Sequence, residues 1–210
     1  WRLRVTGRGD PRDVRLDVAA FELADRARTT LALQPGLSGV LVHALVSQYQ
    51  GALATLRNTQ ARVRLAAGVG SGAAVSASVG GVSLGVKLQS LSISSYVLVP
   101  AGVHRPEVSV NGVPITVFSR TFSAGQDHTL AVYGEATAPE WRPVRDRNLL
   151  PDRPDRAHIR LLHMAPDLDD RVFMLRDGVV IESDVFFANT NLNAQVNTGA
   201  AVRLEASSSL

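Results

Sequence analysis

The chain repeats itself, and that constrains its fold more than any other feature. Ala61-Arg62-Val63-Arg64-Leu65 returns 96 positions later as Ala157-His158-Ile159-Arg160-Leu161. Gly80-Gly81-Val82 returns 97 positions later as Asp177-Gly178-Val179. The stretch Phe122 to Ala131 ends in Thr-Leu-Ala, and an echo of it runs from Phe21 to the same three residues at Ala32. Val108-Ser109-Val110-Asn111-Gly112 is likewise similar to Leu3-Arg4-Val5-Thr6-Gly7. Recurrence at a fixed spacing means one structural unit used more than once. The phasing predicts the back half of a unit over residues 1–60, a complete unit over 61–138, a connector over 139–156 and the front half of another unit over 157–210. The connector is assigned from its density of Pro and Arg.

Within each unit the dominant period is two. Trp1-Arg2-Leu3-Arg4-Val5, Arg62-Val63-Arg64-Leu65, Val108-Ser109-Val110 and His158-Ile159-Arg160-Leu161 alternate apolar and polar residues. That alternation puts one face of a strand in the core and the other outside. Turn signals divide the runs at Gly7-Arg8-Gly9-Asp10-Pro11, Gln34-Pro35-Gly36, Gly80-Gly81, Pro100-Ala101-Gly102, Asn111-Gly112 and Asp177-Gly178. Asn-Gly and Asp-Gly suit the positive φ angles of two-residue hairpins. Leu41, Leu45, Tyr49 and Ala52 fall at helical spacing, but Gly51 interrupts them, and the repeat pattern favours two strands over Val40 to Leu56. Many short strands with frequent turns predict an all-β chain of tandem antiparallel β-sandwich units.

Composition narrows the function classes. With no Cys there is no disulfide framework, thiolate metal site or cysteine nucleophile. No apolar run reaches the roughly 18 residues that a spanning helix needs. Net charge is only +3, and the arginines alternate with acids, as in Asp10-Pro11-Arg12-Asp13 and Asp152-Arg153-Pro154-Asp155-Arg156. A nucleic-acid surface would show a one-signed patch with aromatics for stacking, so that class is set aside.

Each motif that carries chemistry also has a plain alternative. Arg8-Gly9-Asp10 is an adhesion-type tripeptide, but Gly, Asp and Pro make turns in any case. Asp167, Asp169 and Asp170 could offer oxygen ligands to a hard cation, yet they lack the alternate acids, Gly and distal Glu of a calcium loop. His43, His104, His128, His158 and His163 include no pair at zinc-binding spacing. Asp127-His128 stands beside many serines, but no Gly-x-Ser-x-Gly elbow accompanies it. Gly68-Val69-Gly70-Ser71-Gly72 precedes an alternating stretch rather than the helix a phosphate cradle requires. No metal, cofactor or catalytic residues are therefore expected. Aromatics are scarce, so a sugar platform would fall to Trp1, Tyr133 or Trp141. The plainer reading makes Trp141 a plug over the interface between units. Trp1, Trp141 and Asp167 are kept as candidate interaction residues.

The unit running from Ala61-Arg62-Val63-Arg64-Leu65 through Tyr96-to-Gly102 (Tyr-Val-Leu-Val-Pro-Ala-Gly), followed by Ala157 to Asp167, resembles a bacterial family known as domain of unknown function 4397. Its Ala-x-Val-Arg-Val-x-His-Ala-x-Pro-Asp opening is matched by Ala157 to Asp167, with Met164 in place of a small residue. The Tyr-to-Gly segment degrades in the last unit, where Leu192 to Ala200 is Asn-rich. The resemblance implies exported immunoglobulin-like β-sandwiches in tandem on bacterial surfaces, in the periplasm or secreted, with no catalytic residues. A fainter similarity links the family to periplasmic adaptors of exopolysaccharide acetylation. The chain opens at Trp1 rather than Met, so a processed or trimmed product is expected, with any signal peptide outside it.

The function expected is that of a non-catalytic structural or adhesive repeat protein whose partners are copies of itself or further repeats. Half-units leave unpaired strand edges, and head-to-tail strand complementation would turn them into a fibre. The second expectation is a carbohydrate-binding or polysaccharide-processing adaptor.

Overall fold

The computed structural model describes residues 1–164 except positions 24, 27, 37, 38, 50, 52, 71 and 152, and then the backbone of residues 171–176, 179–186, 194–197 and 202–206. The protein is all-β, and no described residue is helical. The first region holds β1 (Leu3–Gly7), β2 (Asp10–Val18), β3 (Thr29–Pro35), β4 (Val42–Gln48) and β5 (Leu53–Leu56). β1 pairs with β2, and β3, β4 and β5 form an antiparallel sheet in that order. β4 and β5 are thus two separate strands within the stretch Val40 to Leu56, as the repeat pattern predicts.

The central region holds β6 (Gln60–Val69), β7 (Ala74–Val79), β8 (Val82–Gln89), β9 (Ser92–Ile93), β10 (Val97–Pro100), β11 (Gly102–His104), β12 (Glu107–Val110), β13 (Val113–Pro114), β14 (Arg120–Phe122), β15 (Asp127–Glu135) and β16 (Ala138–Asp146). One sheet runs β10-β6-β15-β16, with β9 also on β6, and the other runs β13-β12-β7-β8. Both sheets face a common core. Val63, Leu65, Leu130 and Val132 come from the first sheet, Val75, Val79, Leu84 and Val110 from the second, and Phe122 lies among them. The period-two pattern accounts for this placement, since β7 alternates half-buried and buried residue by residue. The hairpins use the turns their residues favour. Gly80 and Gly81, and then Asn111 and Gly112, all have positive φ, as a two-residue type I′ turn requires.

Two expectations are corrected. The sheets are not purely antiparallel, because β6 and β15 pair in parallel from Arg62↔Asp127 to Val69↔Gly134. Two strands so far apart in sequence can lie side by side in either sense, because the rest of the unit supplies the crossover. Residues 139–146, the first part of the expected connector over 139–156, belong to the edge strand β16, which pairs with β15 over its full length. Pro139 and Pro143 suggested a break, but an edge strand tolerates residues that cannot donate to a ladder.

The last region holds β17 (Arg156–Ile159), β18 (Arg171–Arg176), β19 (Val179–Phe186), β20 (Ala194–Asn197) and β21 (Val202–Ala206). Its pairings reproduce those of the central unit. β17 pairs with β20 as β6 pairs with β10, so Ile159↔Ala194 stands where Val63↔Val97 stands. The sheet β19-β18-β21 likewise stands where β8-β7-β12 stands. In the first region, the hairpin β3–β4 is the counterpart of β15–β16.

Candidate functional site

The outer face of the central sheet carries the densest polar cluster among the described residues. Alternation along β6 turns Arg62 and Arg64 outward while Val63 and Leu65 enter the core. Register then sets Arg62 beside Asp127, Arg64 beside Thr129, and Asp127 across from Asp146. Asp127 and Asp146 are both fully buried, so two carboxylates face each other across one strand pair out of water. Leaving either charge uncompensated would be very costly.

Compensation comes from three arginines. The Arg62 guanidinium donates to both oxygens of Asp127, at 2.9 and 2.6 Å. Arg160, from the segment after β17, pairs with Asp146 Oδ1, and its Nη1 donates to the Arg145 carbonyl at 2.9 Å. Arg64 Nε donates to Thr129 Oγ1 at 2.9 Å and lies 3.9 Å from Asp146 Oδ2. Neutral donors complete the set. Asp146 Oδ2 accepts from Tyr96 Oη and Thr129 Oγ1, both at 2.6 Å. Asn148 Nδ2 donates to Asp127 Oδ2 at 2.7 Å and to Tyr96 Oη at 3.0 Å. The Tyr96 ring lies between the guanidinium carbons of Arg62 and Arg64, 4.7 and 4.6 Å from its centroid, a double cation–π contact. Burial, together with the hydrogen bond to Asp146, pushes the Tyr96 hydroxyl up to about 12.

The cluster draws on all three regions of the chain. Asp13 of β2 approaches Arg62 at 3.8 Å, and Arg160 arrives from the far side. The loop before β4 lies so close that a Cβ on Gly39 would sit 2.5 Å from Asp127 Oδ1, and one on Gly36 would sit 2.5 Å from the Gly125 carbonyl. Beside it, buried Asn58 donates to the carbonyls of Arg15 and Val42 and accepts from the Gln60 amide. Its own amide donates to His43 Nδ1 at 3.0 Å. On the other side, a Cβ on Gly68 would meet Met164. A cleft of about 650 Å³ remains between Arg64, Ile93, Asn148, Leu150, His158 and Met164.

All four oxygens of Asp127 and Asp146 accept hydrogen bonds or ion pairs from within the chain. A general base needs a lone pair aimed at a substrate proton. Among the described residues no group of three or more His, Asp and Glu side chains could hold a metal ion. No described helix is long and apolar enough to cross a membrane.

The sequence-based candidates lie elsewhere. Trp1 is 84% exposed, and its carbonyl accepts the Phe21 amide at 2.7 Å. Trp141 sits on β16 opposite Val132 and packs, half-buried, against the core of the central unit, with the Arg120 guanidinium 5.9 Å from its ring. It covers that core, not an interface between units. Asp167, with Asp169 and Asp170, lies outside the described residues. Arg8 and Gly9 form the exposed loop of the β1–β2 hairpin, and Asp10 Oδ1 accepts the Arg12 amide at 2.8 Å, a turn-stabilising bond. His128 turns inward against Phe122, and burial lowers its pKa. Tyr96, Asp146, Asn148 and Asn58 were not among the site residues expected from the sequence. The available signal was the outward register of Arg62 and Arg64, whose charges on a half-covered face require acids nearby.

These observations define a class, an all-β protein whose sheets are tied together by a buried arginine–carboxylate cluster. The profile of the domain of unknown function DUF4397 matches residues 61–170. The chain belongs to that family. No curated protein matches the chain.

Proposed function

We propose that the protein is a non-catalytic structural or adhesive repeat protein that works outside the cytoplasm, its immunoglobulin-like units joined to one another and to further copies. The observation that carries this reading is the buried cluster, each of whose carboxylate oxygens is partnered within the chain. Its most buried acids and their arginines tie β2, the central sheet and the segment after β17 together, which suits a stiff joint between units. Trp141 packs half-buried against the central core, which leaves exposed Trp1 as the aromatic support for a polysaccharide adaptor, the second reading.

Arg160→Ala in an Asp146→Asn background tests the joint, because it cuts the ionic link to the last region without leaving a buried charge unpaired in the central sheet. The expected outcome is faster limited proteolysis within residues 147–155 while central strands keep their hydrogen-exchange protection. Unchanged cleavage would defeat the joint. Saturable glycan binding lost on Arg64→Ala would replace the structural reading with the adaptor.

A further inference from the structure

One guanidinium of the central cluster has no carboxylate of its own. Arg62 is paired with Asp127 and Arg160 with Asp146, whereas Arg64 stands 3.9 Å from an Asp146 oxygen that already accepts two shorter bonds. Arg64 is nevertheless held in place. Its Nε donates to Thr129 Oγ1, and its guanidinium lies over the Tyr96 ring, 4.6 Å from the centroid. No described residue accepts a hydrogen bond from either Nη of Arg64. The side chain is 28% exposed, so these donors are partly withdrawn from water while their orientation is fixed. A planar fork fixed in this way is preorganised for an oxyanion that takes both Nη groups at once.

Arg64 forms one wall of the cleft of about 650 Å³ beside the cluster, a volume within the range of small-molecule sites. The described lining falls entirely within residues 61–170, the part of the chain that the family profile covers. It is of two kinds. Ile93, Leu150, Pro151, Leu162 and Met164 supply apolar surface, and Ile93 and Leu150 remain 56% and 89% exposed there. Arg64, Arg147 and Arg160 supply charge, and no Asp or Glu is among the described lining residues. Arg147 and Arg160 have partners within the chain, so they add positive potential while Arg64 offers the open donors.

We propose that this cleft binds an amphiphilic carboxylate, its headgroup held by the two Nη groups of Arg64 and its hydrocarbon body laid against Ile93, Leu150 and Met164. Charge complementarity selects an anion, and the single open guanidinium matches a single negative charge. A phosphate monoester would bring nearly two charges to that one fork. A neutral hydrocarbon would leave the Arg64 donors facing apolar matter, and a small inorganic anion would leave Ile93 and Leu150 in water. A carboxylate satisfies the fork through two parallel N–H···O bonds, and its chain covers the apolar wall. The proposal goes beyond the structural reading and does not depend on it. The pairs that tie the regions together, Arg62–Asp127 and Arg160–Asp146, are not the groups that take the ligand.

Calorimetric titration of the full chain with decanoate tests this, with acetate as the headgroup-only probe and decanol as the chain-only probe. The expected result is one saturable site for decanoate, with each partial probe about tenfold weaker or more. Arg64→Gln should weaken decanoate about tenfold or more through loss of the bidentate pair. Because Arg64 also stacks on Tyr96, Leu150→Asp provides a second variant at a residue too exposed to matter for folding. Its carboxylate should repel decanoate from the cleft and weaken it several-fold. No saturable decanoate binding, decanol binding as tightly as decanoate, or unchanged affinity in either folded variant overturns the proposal. Binding to phosphatidylglycerol vesicles without any response to decanoate would assign the face to a membrane surface and overturns it as well. Each of these failures leaves the Arg160→Ala comparison standing, so the ligand and the joint are judged separately.

Discussion

Thr-Leu-Ala occurs twice in closely related settings, as Thr30-Leu31-Ala32 on β3 and Thr129-Leu130-Ala131 on β15. On β15 every residue from Asp127 to Gly134 is buried, and on β3 every residue from Thr30 to Pro35 is exposed. The hairpin partner is equivalent in both cases, β16 for one and β4 for the other. What differs is the strand on the far side and the opposing sheet. Burial belongs to the neighbourhood rather than to the segment, and a leucine contributes stability only where other elements close over it.

The comparison is broken most severely by removing a charge from the central cluster. Asp127→Ala leaves the Arg62 guanidinium buried beside a void, with an expected loss of about 3–5 kcal/mol in urea unfolding. Its positional counterpart is Arg28, just before β3, which is exposed, and Arg28→Ala should change stability by less than about 0.5 kcal/mol. Leucine truncation tests the same contrast through packing. Leu130→Ala should cost about 2–5 kcal/mol, because it opens a cavity in a closed core. Leu31→Ala should cost roughly 1 kcal/mol or less, because the side chain is already partly hydrated. Equal losses at the two leucines would mean that β3 is covered after all.

Proton linkage sharpens the contrast more gently. Burial lowers the pKa of His128, so the folded chain binds its proton less readily than the unfolded chain. Stability from this group is complete above the unfolded value near 6.5 and falls as pH drops through and below it. His128→Gln should flatten that acid slope in unfolding curves below about pH 6.5. The equivalent position on β3 is Thr29, which does not titrate. Tyr96 works in the opposite sense. Its hydroxyl is held up to about 12, so stability should fall as pH rises from roughly 10 towards that value, and Tyr96→Phe should remove the alkaline slope.

Much of the fold was legible because strand signals are local. Alternation located β1, β6, β12 and β17, and Gly80-Gly81 and Asn111-Gly112 marked hairpins whose turn angles only such residues adopt readily. The failure at β16 is instructive. Pro139 and Pro143 are forbidden to a central strand and permitted to an edge strand, and position within a sheet is not a local property. The candidate site was less legible still. Tyr96, Asp127, Asp146 and Arg160 are scattered over more than sixty positions, and only the parallel β6–β15 pairing and the approach of the segment after β17 make them neighbours. Trp141 was singled out for its rarity, yet its place opposite Val132 makes it a core lid.

The sequence by itself determined the period-two strands, their turns and the recurrence of one unit, because backbone preference and apolar alternation act over a few residues. The tertiary structure alone decided which copy of a repeated strand is buried and which distant charges share a dry pocket. Those outcomes depend on what closes over each segment, and no segment carries that information within itself.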